Sequence, residues 1–213
     1  DGKENLITAI EIASSSKNNN PIVSEVAIYF EYQLFRANRT TKVSSEDFEA
    51  FKSFNYPTLA EAGINIKYNY SALLSSESNV QYFSDFDNSI GVIYLYPGMD
   101  FYMFEKQLNL EKQRAVVLLT FGSGNAPTDR KFLKIIENNI SKGKFIVNIT
   151  QCNAGSVQLG KYETSAKLKE LGVVGAKDMT IEAVITKLML LLAENKTIKE
   201  LKKSFQENIS GEI

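Results

Sequence analysis

From residue 90 onward, short apolar runs alternate with stretches of helical periodicity, and this alternation constrains the fold more than any other feature. Ile90 to Tyr96 (IGVIYLY), Ala115 to Phe121 (AVVLLTF) and Phe145 to Ile149 (FIVNI) read as strands. Asp100 to Leu108 reads as a helix with Asp100 as its cap and Phe101, Phe104 and Leu108 on one face. Thr128 to Lys142 reads as a second helix, capped by Thr128 and stopped by Gly143, with Phe132, Leu133, Ile135, Ile136 and Ile140 facing inward. Glu163 to Leu171, Thr180 to Ala193 and the segment opened by the capping box Thr197-Ile198-Lys199-Glu200 complete the helices. In the last of these, Ile198, Leu201 and Phe205 are expected to face inward. Strands alternating with helices predict βαβ units and a mainly parallel sheet, and runs such as VVLL suit a sheet covered on both faces.

The first part of the chain is less regular. Asn5 to Ser14 repeats Leu6, Ile10 and Ala13 at helical spacing. Val26 to Phe30 and Gln33 to Arg36 predict a hairpin. Ala37 to Glu61 reads as loop, and Ile64 to Tyr70 as a half-buried strand. Ser71 to Ser89 is polar and aperiodic. It reads as a linker between a first part, 1–70, and a second, 90–213.

Composition excludes several chemistries. With no histidine anywhere, the Ser-His-Asp, Cys-His and histidine-based zinc schemes are absent. Proton transfer must use Lys, Asp, Glu, Tyr or water. The single cysteine, Cys152, allows no internal disulfide and favours a reducing compartment. The sequon Asn148-Ile149-Thr150 inside a strand argues against secretion through a glycosylating pathway, so a bacterial-type cytosol is expected. A net charge of −1 argues against nucleic acid as a partner, and no apolar run reaches the roughly 18–20 residues of a membrane span.

The loop TFGSGNAP, Thr120 to Pro127, stands at the carboxyl end of a predicted strand, where sites in open α/β sheets gather. It lacks the third glycine of a dinucleotide turn and the lysine of a P-loop, and Pro127 removes a backbone donor. Two readings remain: a plain turn that uses the positive φ open to glycine, or a turn that holds the Asn125 amide outward toward a polar small molecule.

Several blocks together resemble the bacterial-type L-asparaginases, in their cytoplasmic (type I) branch. They are Asp1-Gly2 with Asn5-Leu6, RANRTTK (Arg36 to Lys42), FKSFNYPTLAEAGI (Phe51 to Ile64), LLTFGSGNAP, IVNITQC (Ile146 to Cys152) and DMTIEA (Asp178 to Ala183). The resemblance implies a partial flavodoxin-like amino-terminal domain followed by a smaller carboxyl-terminal α/β domain with a parallel sheet. The family's Thr-Gly-Gly-Thr-Ile and His-Gly-Thr-Asp-Thr blocks, which hold its two catalytic threonines, do not occur here. The expectation is an enzyme whose attacking threonine lies outside these residues, with an unpaired sheet edge in the first part.

The implied reaction is hydrolysis of L-asparagine to L-aspartate and ammonia, without metal or cofactor. Carried over by position, Lys42 in RTTK matches the family's catalytic lysine, with Thr41 beside it as a turn residue. Asn125 matches an asparagine that reaches a neighbouring subunit's substrate, and Tyr162 a tyrosine offered across the same interface. The family's Tyr-x-Thr-Gly reads Tyr162-Glu163-Thr164-Ser165, and Ala37 stands where a glycine is usual, which would strain the turn before Lys42 if φ were positive. Cys152 falls near an effector pocket of cytoplasmic relatives, or is a small buried apolar residue. Asp178 reads as a helix cap or a partner of the helix dipole rather than a catalytic acid, and Lys196 to Lys203 as a solvated helix face. Shared sites imply a dimer or dimer of dimers. Two alternatives stay open: a non-catalytic amino-acid-binding or assembly module on the same fold, and the asparaginase-like subunit of a tRNA-dependent amidotransferase, which needs further domains.

Overall fold

The structure is a computed structural model describing residues 2–75, 82–161, 163–194 and 196–213. Its elements run α1 (Gly2–Ser14), β1 (Ser16–Lys17), β2 (Asn20–Pro21), β3 (Ala27–Phe30), β4 (Gln33–Arg36), a 3-10 turn (Ala37–Arg39), β5 (Thr41–Lys42), β6 (Phe51–Lys52), β7 (Ala60–Glu61) and β8 (Lys67–Tyr68). They continue with β9 (Ile90–Tyr94), α2 (Phe101–Leu108), β10 (Ala115–Thr120), α3 (Arg130–Ser141), β11 (Phe145–Thr150), α4 (Glu163–Leu171), β12 (Val174–Gly175), α5 (Ile181–Ala193) and α6 (Ile198–Gln206). The chain divides into two units: Asp1–Tyr82 with Ile209–Glu212, and Phe83–Asn208 with Ile213. The boundary falls inside the predicted linker, part of which, 76–81, lies outside the described residues.

The second unit is built on a four-stranded parallel sheet in the order β12-β11-β10-β9. Strand period two divides its side chains between two cores. Ala115 and Val117 of β10, with Phe145, Val147 and Ile149 of β11, meet Val184, Leu188 and Leu191 of α5 and Leu201 and Phe205 of α6. On the other face Val116 and Leu118, with Ile146, meet Phe104 and Leu108 of α2, Phe132, Ile135 and Ile136 of α3, and Leu168 of α4. Phe104 and Phe132 stack there with ring centroids 4.7 Å apart. Both faces are covered, as the continuous apolar strands require. Among the described residues no helix is long and apolar enough to cross a membrane.

The helices follow the sequence with three corrections. Asp100 caps α2, accepting from the Tyr102 N–H, and Thr197 with Glu200 forms the full capping box of α6. Helix α3, however, is capped by Asp129, whose carboxylate accepts from the Lys131 N–H at 2.7 Å, not by Thr128. Asp129 itself has non-helical backbone, with ψ 137°, so the helix starts later than the apolar period suggests. At α6, Leu201 and Phe205 are buried, but Ile198 is exposed, because the first turn projects past the core. Thr180, rather than Asp178, caps α5 by accepting from the Ala183 N–H.

The first unit carries an antiparallel sheet in the order β3-β4-β7-β8, with β3 and β8 as outer strands. The predicted hairpin closes through Glu31 and Tyr32, both at positive φ (45° and 62°). That backbone matches the twist of the strands but usually employs Asn and Gly. The predicted loop contains the short strands β5, β6 and β7, and the predicted strand 64–70 narrows to β8. Helix α1 turns Ile12 into the core and leaves its Leu6 and Ile10 stripe exposed.

The polar hub of this unit is Arg36. Its guanidinium pairs with the buried Glu25 carboxylate, donates to the Ala72 carbonyl at 2.8 Å and the Gly211 carbonyl at 3.2 Å, and lies 4.3 Å over the Tyr56 ring. Burial works against the charge, and Glu25 outweighs it, holding Arg36 above its ordinary value. Glu25 also accepts from the Leu74 N–H at 2.8 Å.

The cap reassignment is testable. Asp129→Ala is expected to lower stability by about 1 kcal/mol, while Thr128→Ala changes it by no more than a few tenths. Urea denaturation of the two variants of the intact polypeptide checks this, and the reverse ranking contradicts the cap.

Candidate functional site

The loop after β10 is held by buried polar groups beneath it. Thr120 and Asn148 project from the same sheet face as Leu118 and Ile146, and both are fully buried. A buried amide must be hydrogen-bonded, and Asn148 is. Its Oδ1 accepts from the Thr120 hydroxyl at 2.6 Å, and its Nδ2 donates to the Gly124 carbonyl at 2.9 Å. The loop closes on itself through the Phe121 and Asn125 backbones, whose N–H groups donate to each other's carbonyls at 2.9 and 2.8 Å. The Thr150 hydroxyl donates to the Gly122 carbonyl, and the Gln158 N–H donates to the Ser123 carbonyl at 3.0 Å.

This framework requires glycine at 124. The residue has φ +108°, and a Cβ there would sit 2.9 Å from Val157 Cγ1 and 3.5 Å from Asn148 Nδ2. The glycine-rich run is thus a tight turn, and the turn presents Asn125. That side chain is half-buried, and its Oδ1 accepts from the Thr164 hydroxyl, in the first turn of α4, at 2.7 Å.

Lys42 belongs to the other unit. It is exposed on β5, paired with Phe51 of β6, and its ammonium lies 5.0 Å from the centroid of the Phe51 ring. The preceding turn is anchored from below. Arg39 is buried and donates to the Glu212 carbonyl at 2.7 Å, and the buried Thr40 hydroxyl donates to the Arg36 carbonyl at 2.7 Å. Ala37 opens a 3-10 turn and is not at positive φ, so it brings no strain where the family's glycine stands. A buried turn therefore delivers an exposed lysine.

Tyr162 lies outside the described residues. Cys152 is an exposed free thiol, which corrects the reading of a small buried apolar residue. It follows β11 in a turn where its N–H donates to Thr150 Oγ1 at 3.0 Å. Gln151 beside it donates to the Leu95 and Leu119 carbonyls at 2.6 and 2.9 Å, tying the ends of β9 and β10. Sequence reading singled out neither Asn148 nor Thr164 as part of the site. Polar residues closing an otherwise apolar strand were the available signal for Asn148. The motif Tyr-x-Thr was the signal for Thr164.

The comparisons with known proteins agree with this architecture. The model of the asparaginase amino-terminal domain matches residues 1–74, and that of the glutaminase/asparaginase carboxyl-terminal domain matches residues 89–205. The chain belongs to the asparaginase family. It is 36% identical to L-asparaginase 1 of Escherichia coli strain K12, over all of this chain and 62% of the relative. It is 33% identical to an L-asparaginase of Dirofilaria immitis, over all of this chain and 36% of that one. The crystal structure of L-asparaginase I from Vibrio cholerae superposes with a TM-score of 0.91 at 37% identity, covering all of this chain and 63% of that one. The asparaginase fold anticipated from the motifs is thereby shown, and the chain spans less than two thirds of the length of these relatives.

Gly124→Ala is expected to destabilise the intact polypeptide by about 1–3 kcal/mol, from backbone strain and the Val157 contact. An unchanged midpoint in chemical denaturation contradicts this reading of the turn.

Proposed function

We propose that the polypeptide carrying this chain is an L-asparaginase, hydrolysing L-asparagine to L-aspartate and ammonia. The observation that carries the reading is the agreement of both asparaginase domain models, in order, with a fold that presents Lys42 and Asn125 from anchored turns. The attacking hydroxyl is a threonine outside these 213 residues. It adds to the side-chain amide carbon, donors stabilise the oxyanion, ammonia leaves with a proton, and water releases aspartate from the acyl-enzyme.

In this scheme Lys42 moves the proton between the attacking hydroxyl and the leaving amine. In its amine form a lysine on a short, anchored strand can take up that proton and return it, and these 213 residues hold no histidine to do so. Asn125 contributes an amide to the substrate in a neighbouring subunit, so the enzyme works as a dimer or dimer of dimers. Tyr162 belongs to the same interface, and the turn at Cys152 borders an effector pocket. The setting is the cytoplasm, in keeping with a free exposed thiol.

Ammonia release from L-asparagine by the intact polypeptide tests the reading. Lys42→Met is expected to lower kcat by about 100-fold or more, the scale of a lost general acid–base group. Undiminished turnover in that variant removes Lys42 from the mechanism. Failure of the unaltered polypeptide to release ammonia removes the asparaginase reading itself.

A further inference from the structure

We propose that Thr164 is a positioning residue, which fixes the Asn125 carboxamide so that its NH2 group is delivered as a donor to an acceptor oxygen of the bound amino acid. The inference rests on the reading of Asn125 as a substrate-binding residue and goes beyond it by assigning the orientation and its cause. Three observations carry it.

The first is that the backbone of the loop is set without Thr164. The paired Phe121 and Asn125 backbone bonds, the Asn148 bond to the Gly124 carbonyl and the Gln158 bond to the Ser123 carbonyl fix where the Asn125 Cα sits. None of them fixes how the amide is rotated. The second is that the Thr164 hydroxyl donates to Asn125 Oδ1 at 2.7 Å, across 39 residues of sequence and from the first turn of a different element, α4. An asparagine amide has two faces of opposite polarity, and a bond to its oxygen defines which end points away. The third is that, among the described residues, Asn125 makes no side-chain hydrogen bond besides the one its Oδ1 accepts from Thr164. None of the described residues takes up either N–H of the amide, which leaves both to offer to a ligand. Donors of that kind match a carboxylate or carbonyl oxygen and do not match an ammonium.

The side chain of Thr164 is half-buried, so its orientation is held by packing as well as by the bond. Holding a rotamer before the ligand arrives removes an ordering cost from binding. The consequence is specific to substrate affinity: loss of the hydroxyl frees the amide to rotate and weakens binding while the chemistry proceeds.

Steady-state ammonia release by the intact polypeptide, in a double-mutant cycle, tests this. Asn125→Ala is expected to raise KM by about tenfold or more, and both Thr164→Val and Thr164→Ala to raise it by about five- to tenfold, with kcat within about twofold of the unaltered protein. Thr164→Ser, which keeps the hydroxyl, is expected to stay within about twofold in both constants. Adding Thr164→Val to Asn125→Ala is expected to cost nothing further, since the first acts only through the second. Asn125→Asp, which turns the donor into a carboxylate, is expected to bind more weakly than Asn125→Ala.

The two failures are distinguishable. Unchanged kinetics in Asn125→Ala sink the reading of Asn125 as a substrate contact. A damaged Asn125→Ala beside a silent Thr164→Val, or multiplicative effects in the double variant, overturn the positioning role and leave Asn125 in place. A binding-competent Asn125→Asp overturns the donor assignment. If the Val variant folds poorly, the Ala and Ser pair decides the question.

Discussion

Asn148 ties two neighbouring strands of a parallel sheet to the loop that leaves them. A carboxamide fully buried on the sheet face that carries Ile146 and Leu118 has to find partners for both its oxygen and its nitrogen, and it finds them in the Thr120 hydroxyl and the Gly124 carbonyl. This is a constraint with a direction. It pulls the turn down onto the sheet, demands glycine at 124, and leaves the Asn125 side chain that follows half-buried. The same low-dielectric setting that strengthens these bonds makes a broken one expensive, so the loop is rigid because it is buried beneath.

The first unit solves a similar problem with charge. Arg36 and Glu25 are buried together, and their remaining hydrogen-bonding capacity is satisfied by backbone at Ala72, Leu74 and Gly211. A buried ion pair is weak evidence for stability in itself. What this one does is join β4, the start of the linker and residues 209–212 around the turn that leads to Lys42. In both units a polar group inside anchors a short segment whose candidate site residue lies at its surface.

Much of this was legible in the sequence, and the reasons differ by element. The strands of the parallel sheet announced themselves because burial on both faces forces continuous apolar runs, and the edges of α2 and α6 because their caps need particular side chains. Gly143 ended α3 as expected, at φ +87°. The start of α3 moves from Thr128 to Asp129 because both residue types cap helices and the non-helical backbone at Asp129 shows only in three dimensions. The meander of β5 to β8 was nearly invisible, since strands two residues long carry no period. The Glu31-Tyr32 turn carried none of the usual turn residues. For the site, Lys42 came from resemblance to a family, since a lone lysine in a loop carries no chemical signature; the loop pattern offered Asn125 as one of two readings, and the resemblance chose between them. Asn148 and Thr164 escaped because their role is set by contacts 24 and 39 residues away in sequence.

In the proposed enzyme, a loop locked from beneath delivers the Asn125 amide to a bound amino acid. A crystal structure of the intact polypeptide with L-aspartate bound puts this to the test. Asn125 Nδ2 is expected within about 3 Å of an oxygen of the ligand, with the Thr164 bond retained. A ligand bound beside Lys42 with every Asn125 amide facing open solvent would count against it.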